Sequence, residues 1–545
     1  MAVNAKQIIR LYDDLASQRQ NFDTLWQECT DFVLPFHATV NNRPISAGQR
    51  RGQERYDSTA ADAAEKLATN LGTTLTNPSQ RWFDLVMEEE ALNAEEDVGA
   101  WLEIVRDLLN TELSRSNFYT RIDEAWLSLV GYGTAAIFTD EKREGIVFDG
   151  LRFDSWPARE FVLIENNDGR VDGVLRKFQL TAEQARREFE NRPGFRSLGQ
   201  GVERALQTET RASTEKHSFI HVIRPRSNRN PASLRGDEMP FESCYVAVQD
   251  VHVVREWGYQ ELPMAVGRWR KNADDRGYGR GPGMNAMPDI RSLNELRRLR
   301  LKAAGKDVDP PLLIEHKGII GSVRTSPNGL TYARRGAQAT PLTSGARFEV
   351  SADERDELKR SVRAMFHADQ IETLMGEPTP GMTAFEFSKR IGFMRQLLGS
   401  TFGRLQNEIL DPCIIRAFGI LERNRRFPPP PDVLLDRGGA ISIEYVGALA
   451  RAQRFEEVEA IQSGVSFAAG LVQMTGDPGP MDVIDTNAAQ RKVARLLGVP
   501  SDVLRDEDAV AELSEQRQMQ QEMAGALQEV QQVADIAATP MSPGP

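Results

Sequence analysis

The segment RGYGRGPGMNAMPDIRSLNELRRLRLKAAGKDVDPPLL, residues 276–313, decides the fold of the central region. It opens with glycines at alternate positions, namely Gly277, Gly279, Gly281 and Gly283. They predict a flexible hinge, because glycine lacks the Cβ that restricts the backbone. A long helix follows, and the proline pair at 310–311 ends it because proline cannot continue a helix. Residues 283–306 carry six Lys or Arg against two Asp or Glu in a chain of net charge −12.

The apolar residues of this helix, predicted over 283–306, step by three. They are Met284, Met287, Ile290, Leu293, Leu296 and Leu299. A step of three falls about 60° short of a full turn, so the apolar stripe spirals around the helix. Such a helix is expected to contact neighbours on several sides. The simpler explanation of its positive charge is that the basic residues lie on a solvent-exposed face of the helix. The functional explanation is that they bind an anionic partner.

Composition places the chain among globular proteins of roughly three or four structural units. It has 545 residues, 40% hydrophobic and 27% charged. No apolar run is long enough to predict a membrane span, and the polar N-terminus does not predict a signal peptide. Three distant cysteines, Cys29, Cys244 and Cys413, predict reduced and mostly buried thiols. The acidic balance argues against a protein that wraps DNA, since such binding depends on Lys and Arg contacts to phosphate.

The first half of the chain predicts helices followed by strands. Helices are expected over 4–32 and 97–131, with a further helix of small residues capped by Asp57 or Ser58. Residues 134–270 alternate short apolar runs with turns and read as β-rich. Within them, the order Thr181-Ala-Glu-Gln184 is a capping box that opens a short helix. Residues 191–217 and 226–240 are predicted to be exposed loops.

The second half predicts mainly helices. A capping box at Ser351–Glu354 predicts a helix over 352–375, and the Gly/Pro-rich segment 376–381 breaks it. A third capping box, Thr383–Glu386, predicts a long helix reaching about Arg426. Prolines 428–431 then form a rigid spacer before the strand ISIEYV and further helices. Residues 509–537 are Gln-rich with a helical pattern, and the last residues have the composition of a disordered tail.

Sequence motifs for catalysis, cofactors or metals are missing. The glycine run fits neither a phosphate loop nor G-x-G-x-x-G, because Pro282 stands where the third glycine belongs. His217 and His221 lie on a predicted strand, over 12 Å apart at ~3.3 Å per residue, and are interpreted as ordinary strand residues. Runs of acidic residues read as solvated helix faces. The chain is therefore predicted to be no enzyme, with no catalytic residue, no cofactor and no metal site.

The order of these elements resembles the portal, or head-to-tail connector, proteins of T7-like short-tailed bacteriophages over residues 5–470. The N-terminal part of the resemblance is Trp26, Pro35, Asp57-Ser58-Thr59, Leu67-Ala68, Leu75-Thr76-Asn77-Pro78 and Trp82-Phe83. The central part is Gly279-Arg-Gly-Pro282, Asp289, Leu293-Asn294 and Pro310-Pro311. The last part is Met382-Thr383-Ala384, Glu386 and Arg390. The order and spacing of these weak motifs together carry the resemblance.

The resemblance implies an α+β, predominantly helical portal-type fold that assembles into a ring of about twelve copies. Its regions would be a wing (1–270), a hinge with the first stem helix (271–306), a clip (307–350), a second stem helix (351–375), a tunnel loop (376–382), a long wing helix (383–431), a crown (432–508) and a Gln-rich helix with a disordered tail (509–545). The tunnel loop comprises Gly376, Glu377, Pro378, Thr379, Pro380, Gly381 and Met382. The candidate DNA-channel residues are Arg291, Arg297, Arg298, Arg300, Lys302 and Lys306.

The implied function is a DNA channel at one capsid vertex, used in genome packaging, head-tail joining and DNA ejection. The implied partners are further copies of the chain, double-stranded DNA, the terminase large subunit, a tail adaptor, and the major capsid and scaffolding proteins, with no membrane. The protein would be assembled in the host cytoplasm and reside in the virion. Two alternatives stay open: another phage assembly protein, such as a scaffold or tail adaptor, and a metal-dependent DNA-processing nuclease.

Overall fold

The computed structural model describes most of the chain. It covers residues 4–36, 40, 54–308 (except 94, 145–146, 231 and 234), short strands between 312 and 341, and residues 348–375, 399–445, 448–476 and 483–497, with isolated positions elsewhere. The chain divides into two compact units, Met1–Gly447 and Ala448–Pro545. In the described residues, every helix falls short of the length and apolar character that crossing a membrane requires.

The N-terminal region is helical, as predicted. Its elements are α1 (Ala5–Phe32), α2 (Thr59–Leu75), β1 (Phe83–Met87), α3 (Glu90–Asn93), α4 (Glu96–Arg115) and α5 (Phe118–Tyr132). The prediction of a helix or helix pair over 97–131 is confirmed as the pair α4 and α5. At the start of α2 the Asp57 carboxylate accepts a hydrogen bond from the Thr59 N–H at 2.8 Å, whereas Ser58 makes no side-chain cap.

The β-rich region forms two antiparallel sheets. Its strands are β2 (Thr134–Glu144), β3 (Val147–Trp156), β4 (Phe161–Glu165), β5 (Val171–Thr181), β6 (Lys216–Pro225), β7 (Phe241–Ala247), β8 (His252–Tyr259) and β9 (Met264–Arg268). Three strands pair in the order β3-β2-β9 and five in the order β4-β5-β6-β7-β8. The prediction of a mixed fold of helices and strands is therefore confirmed.

Helices cover both faces of the five-stranded sheet. Between β5 and β6 the chain forms three short helices, α6 (Ala182–Phe189), α7 (Gln200–Leu206) and α8 (Glu209–Thr214). On one face α1 packs through Ile8 and Tyr12, and on the other face α6 and α7 pack near Phe219. The capping box at Thr181 is confirmed, since both of its reciprocal hydrogen bonds are present. The prediction that 191–217 is an exposed loop is wrong, because Val202 and Ala205 of α7 are buried.

The basic segment forms two helices rather than one. These are α9 (Pro282–Asn285) and α10 (Met287–Val308), with the break at Ala286. Pro288 explains the break, because a proline lacks the N–H that would bond the carbonyl four residues earlier and is tolerated only in a first turn. The prediction of one continuous helix over 283–306 is therefore wrong at its start. The observed α10 ends at Val308.

The predicted second helix over 352–375 is also divided. It consists of α11 (Phe348–Met365) and α12 (Ala368–Met375). His367 adopts a left-handed φ of 55°, which ends α11, and the adjoining Phe366 is fully buried. The capping box at Ser351 is wrong, because α11 already begins at Phe348. A cap contributes only about 1 kcal/mol, so a few more helical hydrogen bonds can outweigh it.

Between α10 and α11 the described backbone contains two short antiparallel pairs. They are β10 (Leu312–Ile314) with β13 (Ala339–Pro341), and β11 (Ile319–Ile320) with β12 (Tyr332–Ala333). The β11–β12 pair lies inside the β10–β13 pair in sequence. The expected small β-insert between the two helices is therefore present.

The rest of the first unit closes onto its N-terminal part. Residues 399–405 are helical, Gln406–Leu410 form a π-helical turn, and α13 (Asp411–Arg423) continues this helix. A short helix, α14 (Asp432–Arg437), follows after a non-helical connection. Strand β14 (Ile441–Tyr445) then pairs with β1. The second unit contains α15 (Ala448–Thr475) and α16 (Thr486–Leu497). This second unit begins at Ala448, within the region predicted as the crown (432–508), and the crown assignment stays a prediction.

Candidate functional site: the basic helix and its glycine junction

The glycine run forms a close-packed junction with the end of α5. Gly133, whose φ is +74°, ends α5, and a Cβ there would lie 2.3 Å from the Gly281 nitrogen. A Cβ on Gly281 would lie 2.7 Å from the Gly133 nitrogen, and one on Gly279 would lie 2.3 Å from the Gly133 oxygen. Real Cβ atoms do not approach backbone atoms so closely. Only glycine therefore lets these two segments touch.

The predicted flexible hinge needs correction for the same reason. Of the four alternating glycines only Gly277 has a positive φ, of 88°. The backbone N–H of Gly279 donates a hydrogen bond to the Thr134 hydroxyl at 2.9 Å, and the Trp269 N–H donates to the Gly133 oxygen at 2.9 Å. Because these segments are buried and bonded to the sheet, the glycines fix the start of α9 in place.

Tyr278 anchors the junction in the aromatic core. Its ring lies 5.5 Å from Trp26 and 5.2 Å from Phe22, between ring centroids. Its hydroxyl accepts a hydrogen bond from the Leu163 N–H at 3.2 Å, and burial raises the pKa of Tyr278 to about 12. The indole of Trp26 donates to the Tyr132 carbonyl at 2.9 Å. The junction therefore connects α1, α5 and both sheets.

The first half of α10 is held by two polar side chains as well as by burial of Met287, Ile290 and Leu293. The Asp289 carboxylate accepts a hydrogen bond from the Ser361 hydroxyl of α11 at 2.5 Å. Asn294 accepts from the Tyr56 N–H at 2.7 Å and donates to the Glu54 carbonyl at 2.9 Å. Asp289 and Asn294, which belong to the central part of the family resemblance, therefore attach α10 to its neighbours.

The second half of α10 is uncovered in the single chain. Leu299 is 50% exposed, Leu301 54% and Val308 88%. The first half of the same helix has nearly every apolar side chain buried. The apolar stripe is therefore buried in the chain's own core over the first half of α10, whereas Leu299 at its other end is exposed.

The six candidate basic residues differ in their partners. Arg291 forms an ion pair with Glu28 of α1, and Arg298 forms one with Glu295, which lies one turn earlier on α10. Hydrogen bonds from Arg298 lower the pKa of the Glu295 carboxyl, so this pair is fully ionised at neutral pH. Among the described residues, no carboxylate lies within ion-pair distance of the remaining four, Arg297, Arg300, Lys302 and Lys306.

Other predicted features can be located only in part. All seven residues of the tunnel loop, Gly376, Glu377, Pro378, Thr379, Pro380, Gly381 and Met382, lie outside the described residues, as does the capping box at Thr383. The three cysteines are buried and unpaired with one another, as expected. Burial raises the pKa of the Cys244 and Cys413 thiols to about 12, which keeps them protonated.

The two histidines are strand residues, as interpreted from the sequence. Both lie on β6 and are buried. His221 shares a hydrogen bond with the Ser243 hydroxyl at 3.0 Å and stacks on Tyr245 at 3.8 Å between ring centroids. Burial, with the nearby Arg255 guanidinium, holds the pKa of His221 well below its usual range. Within the described part of the chain, no group of three or more His, Cys, Asp or Glu is placed to hold a metal ion.

Comparison with known proteins identifies the family. A family model described as the bacteriophage head to tail connecting protein matches residues 5–504. The chain belongs to this family. It is 27% identical over 543 residues to the probable portal protein of Bordetella phage BPP-1, covering 98% of this chain and 94% of that protein. It is 25% identical over 541 residues to the portal protein of Salmonella phage epsilon15, covering 98% and 95%.

The resemblance to phage portal proteins is therefore confirmed, and a portal function is what these comparisons support. The match extends beyond the 5–470 range expected from sequence motifs. Two features were not predicted from the sequence, namely the pairing of Gly133 with the glycine run and the role of Pro288. The first leaves only a weak signal, a Gly-x-Gly turn, whereas the second was visible as a proline inside a helical pattern.

Proposed function

We propose that this chain is the subunit of a portal ring of about twelve copies at one capsid vertex. The observation that carries the proposal is the family match together with the uncovered half of α10, because a ring subunit must leave apolar surface for its neighbours. Leu299, Leu301 and Val308 would be covered by adjacent copies. A chain that worked alone would have little reason to expose three large aliphatic side chains on one helix.

The regions of the ring are assigned from the order of elements. Helices α10 and α11 contact each other and form the stem pair, while the β-insert between them forms the clip. The wing comprises residues 1–270 and the long helix of 383–431, and residues 432–508 form the crown. Residues 376–382 form the tunnel loop, and residues 509–545 form the Gln-rich terminal helix and tail. This assignment rests on the family and on the α10–insert–α11 arrangement.

The channel assignment follows from ring symmetry and charge. Each basic side chain of α10 is repeated around the axis, so one residue becomes a ring of positive charge. Arg297, Arg300, Lys302 and Lys306 are the stronger candidates, because Arg291 and Arg298 are already paired with carboxylates. Sparse positive rings in an otherwise acidic wall would hold DNA transiently during packaging and ejection without binding it tightly.

The partners follow from the place of a connector between head and tail. The wing would face the capsid and scaffolding proteins, and the clip would dock first the terminase and later a tail adaptor. The chain would be assembled in the host cytoplasm and end in the virion. No step of catalysis is assigned to it, and the ATPase that drives packaging would be a separate protein.

The ring is tested by native mass spectrometry and negative-stain microscopy of the purified full chain. Closed rings of about twelve copies with a central hole are expected. A stable monomer or dimer at high concentration would contradict the proposal and favour another assembly protein, such as a scaffold or adaptor. Incubation with plasmid DNA and Mg²⁺ or Mn²⁺ tests the nuclease alternative, which requires cleavage that disappears when specific carboxylates are replaced.

A further inference from the structure

The long helix, described over residues 399–423, contains one wide turn. Residues 399–405 and Asp411–Arg423 are α-helical, but between them Gln406–Leu410 are π-helical, and the Asp411 N–H bonds the Gln406 carbonyl five residues earlier. Pro412 explains the wide turn. In an α-helix its ring would collide with the Glu408 carbonyl, and its missing N–H would leave that carbonyl without a bond. Turns of this kind occur often at functional positions.

The wide turn brings Glu408 onto β9. The Glu408 carboxylate accepts hydrogen bonds from the Arg268 backbone N–H at 2.9 Å, from Nε at 3.2 Å and from Nη2 at 2.6 Å. Next to it, Ile409 lies over Gly267, where a Cβ would meet the Ile409 side chain at 2.1 Å. The turn and the strand are thus fitted to each other by charge and by shape.

Arg268 extends this contact to the glycine junction. Its side chain is almost completely buried and also bonds Glu165 at 3.3 Å and the Gly169 carbonyl at 3.0 Å. Its Cα and Cβ lie 3.1 and 3.0 Å from the place where a Cβ on Gly279 would stand. One buried arginine therefore touches the long helix, the β4–β5 connection and the segment that leads into α10.

We propose that the wide turn is a register lock that couples the long helix to the glycine junction. Pro412 and the Arg268–Glu408 contact together hold residues 406–410 in the wide form. Collapse to an α-helical turn would rotate residues 399–405 by about 100° relative to α13 and shift them by about 1.5 Å. Displacement of the junction would move Arg268 and thereby release the turn. This coupling goes beyond the proposed ring and does not depend on DNA.

Hydrogen exchange of the assembled full chain tests the coupling. Glu408→Ala is expected to speed exchange by about tenfold or more in two segments, residues 399–411 and residues 267–281. Glu422→Ala, an exposed change on the same helix, is the matched control and should alter neither segment. Glu408→Gln, which keeps the shape of the side chain, should change the same two segments less and covers the case in which Glu408→Ala does not fold. Faster exchange confined to residues 399–411 would overturn the coupling.

A second experiment tests the register itself. In Pro412→Ala combined with Glu408→Ala, both causes of the wide turn are removed, and a density map of the assembled protein should show an α-helical turn with residues 399–405 rotated. Pro412→Ala alone should keep the wide turn, because Arg268 still holds Glu408. A wide turn that persists in the double variant would show that neither residue sets the register.

Discussion

The two halves of α10 belong to one helix but face different surroundings. From Met287 to Asn294 the helix is buried against the chain's own core and held by Asp289 and Asn294. From Glu295 to Val308 it carries most of the positive charge and exposes leucines. The difference teaches that one helix can face two environments: its first half completes the chain's own core, and its second half is free for the contacts between copies that we propose.

The largest effect is expected at the junction on which the first half rests. Gly133→Ala places a Cβ against the Gly281 backbone in a left-handed conformation, and should lower the free energy of unfolding by about 3 kcal/mol. A denaturant titration measures this change. Gly305→Ala is the matched control, since nothing lies within 4 Å of its added methyl group, and it should be neutral or stabilising. Equal loss in both variants would show that the junction is not close-packed.

The next effect concerns the attachment of residues 54–56 to α10. Asn294→Ala removes both bonds of the amide and leaves the Tyr56 N–H unpaired, which should cost about 2 kcal/mol. Thermal unfolding measures the loss, and limited proteolysis should cut near Glu54 sooner. Ser292→Ala, whose hydroxyl bonds only its own helix, serves as the control. If proteolysis near Glu54 is unchanged, Asn294 does not hold this segment.

Substitutions in the exposed second half of α10 should affect the assembly of copies rather than the folding of each chain. Leu299→Ser with Leu301→Ser leaves the subunit core untouched but should weaken each contact between copies by about tenfold, as expected for about 1.4 kcal/mol of lost apolar burial. Native mass spectrometry over a dilution series measures the change. Ala304→Ser, also exposed on this half, is the control. Unchanged rings would mean that these leucines do not face a neighbouring copy.

The smallest effect on stability is expected from the charges. Arg297→Glu with Arg300→Glu should leave folding and rings intact, while packaging or retention of DNA falls because positive rings become negative. The control reverses Arg115 and Arg187, which gives the same change in net charge on exposed residues away from α10. Normal packaging by the α10 variant would remove its basic residues from the channel.

The sequence predicts local features of this fold better than distant contacts. The capping box at Thr181 depends only on Gln184, three residues away, and it was predicted correctly. The fit of Gly133 to Gly281 joins segments about 150 residues apart, and a single sequence carries only a weak signal of that pairing. Pro288 and Pro412 were local signals that went unused. At Ser351 the local signal predicted the start of a helix, but α11 begins three residues earlier, because additional helical hydrogen bonds outweigh the cap.

For the candidate site, the sequence indicates the composition of α10 but not the contacts of its side chains. The excess of positive charge on α10 could be read directly from the sequence, as could the apolar spiral. The sequence could not indicate that Arg291 pairs with Glu28, because that contact depends on how α1 packs. It also could not separate the buried Leu293 from the exposed Leu299, since both follow the same three-residue spacing.

The close contact at Gly133 and Gly281 fixes the start of α9, so the break at Ala286, where α10 begins, is a defined pivot. A helix of 22 residues is about 33 Å long, so a tilt of only about 5° at this pivot moves its far end by about 3 Å. Repeated in every copy of a ring, such tilts would widen or narrow the aperture without breaking a hydrogen bond inside the helix. The width of the proposed channel would then change through small rotations of rigid helices.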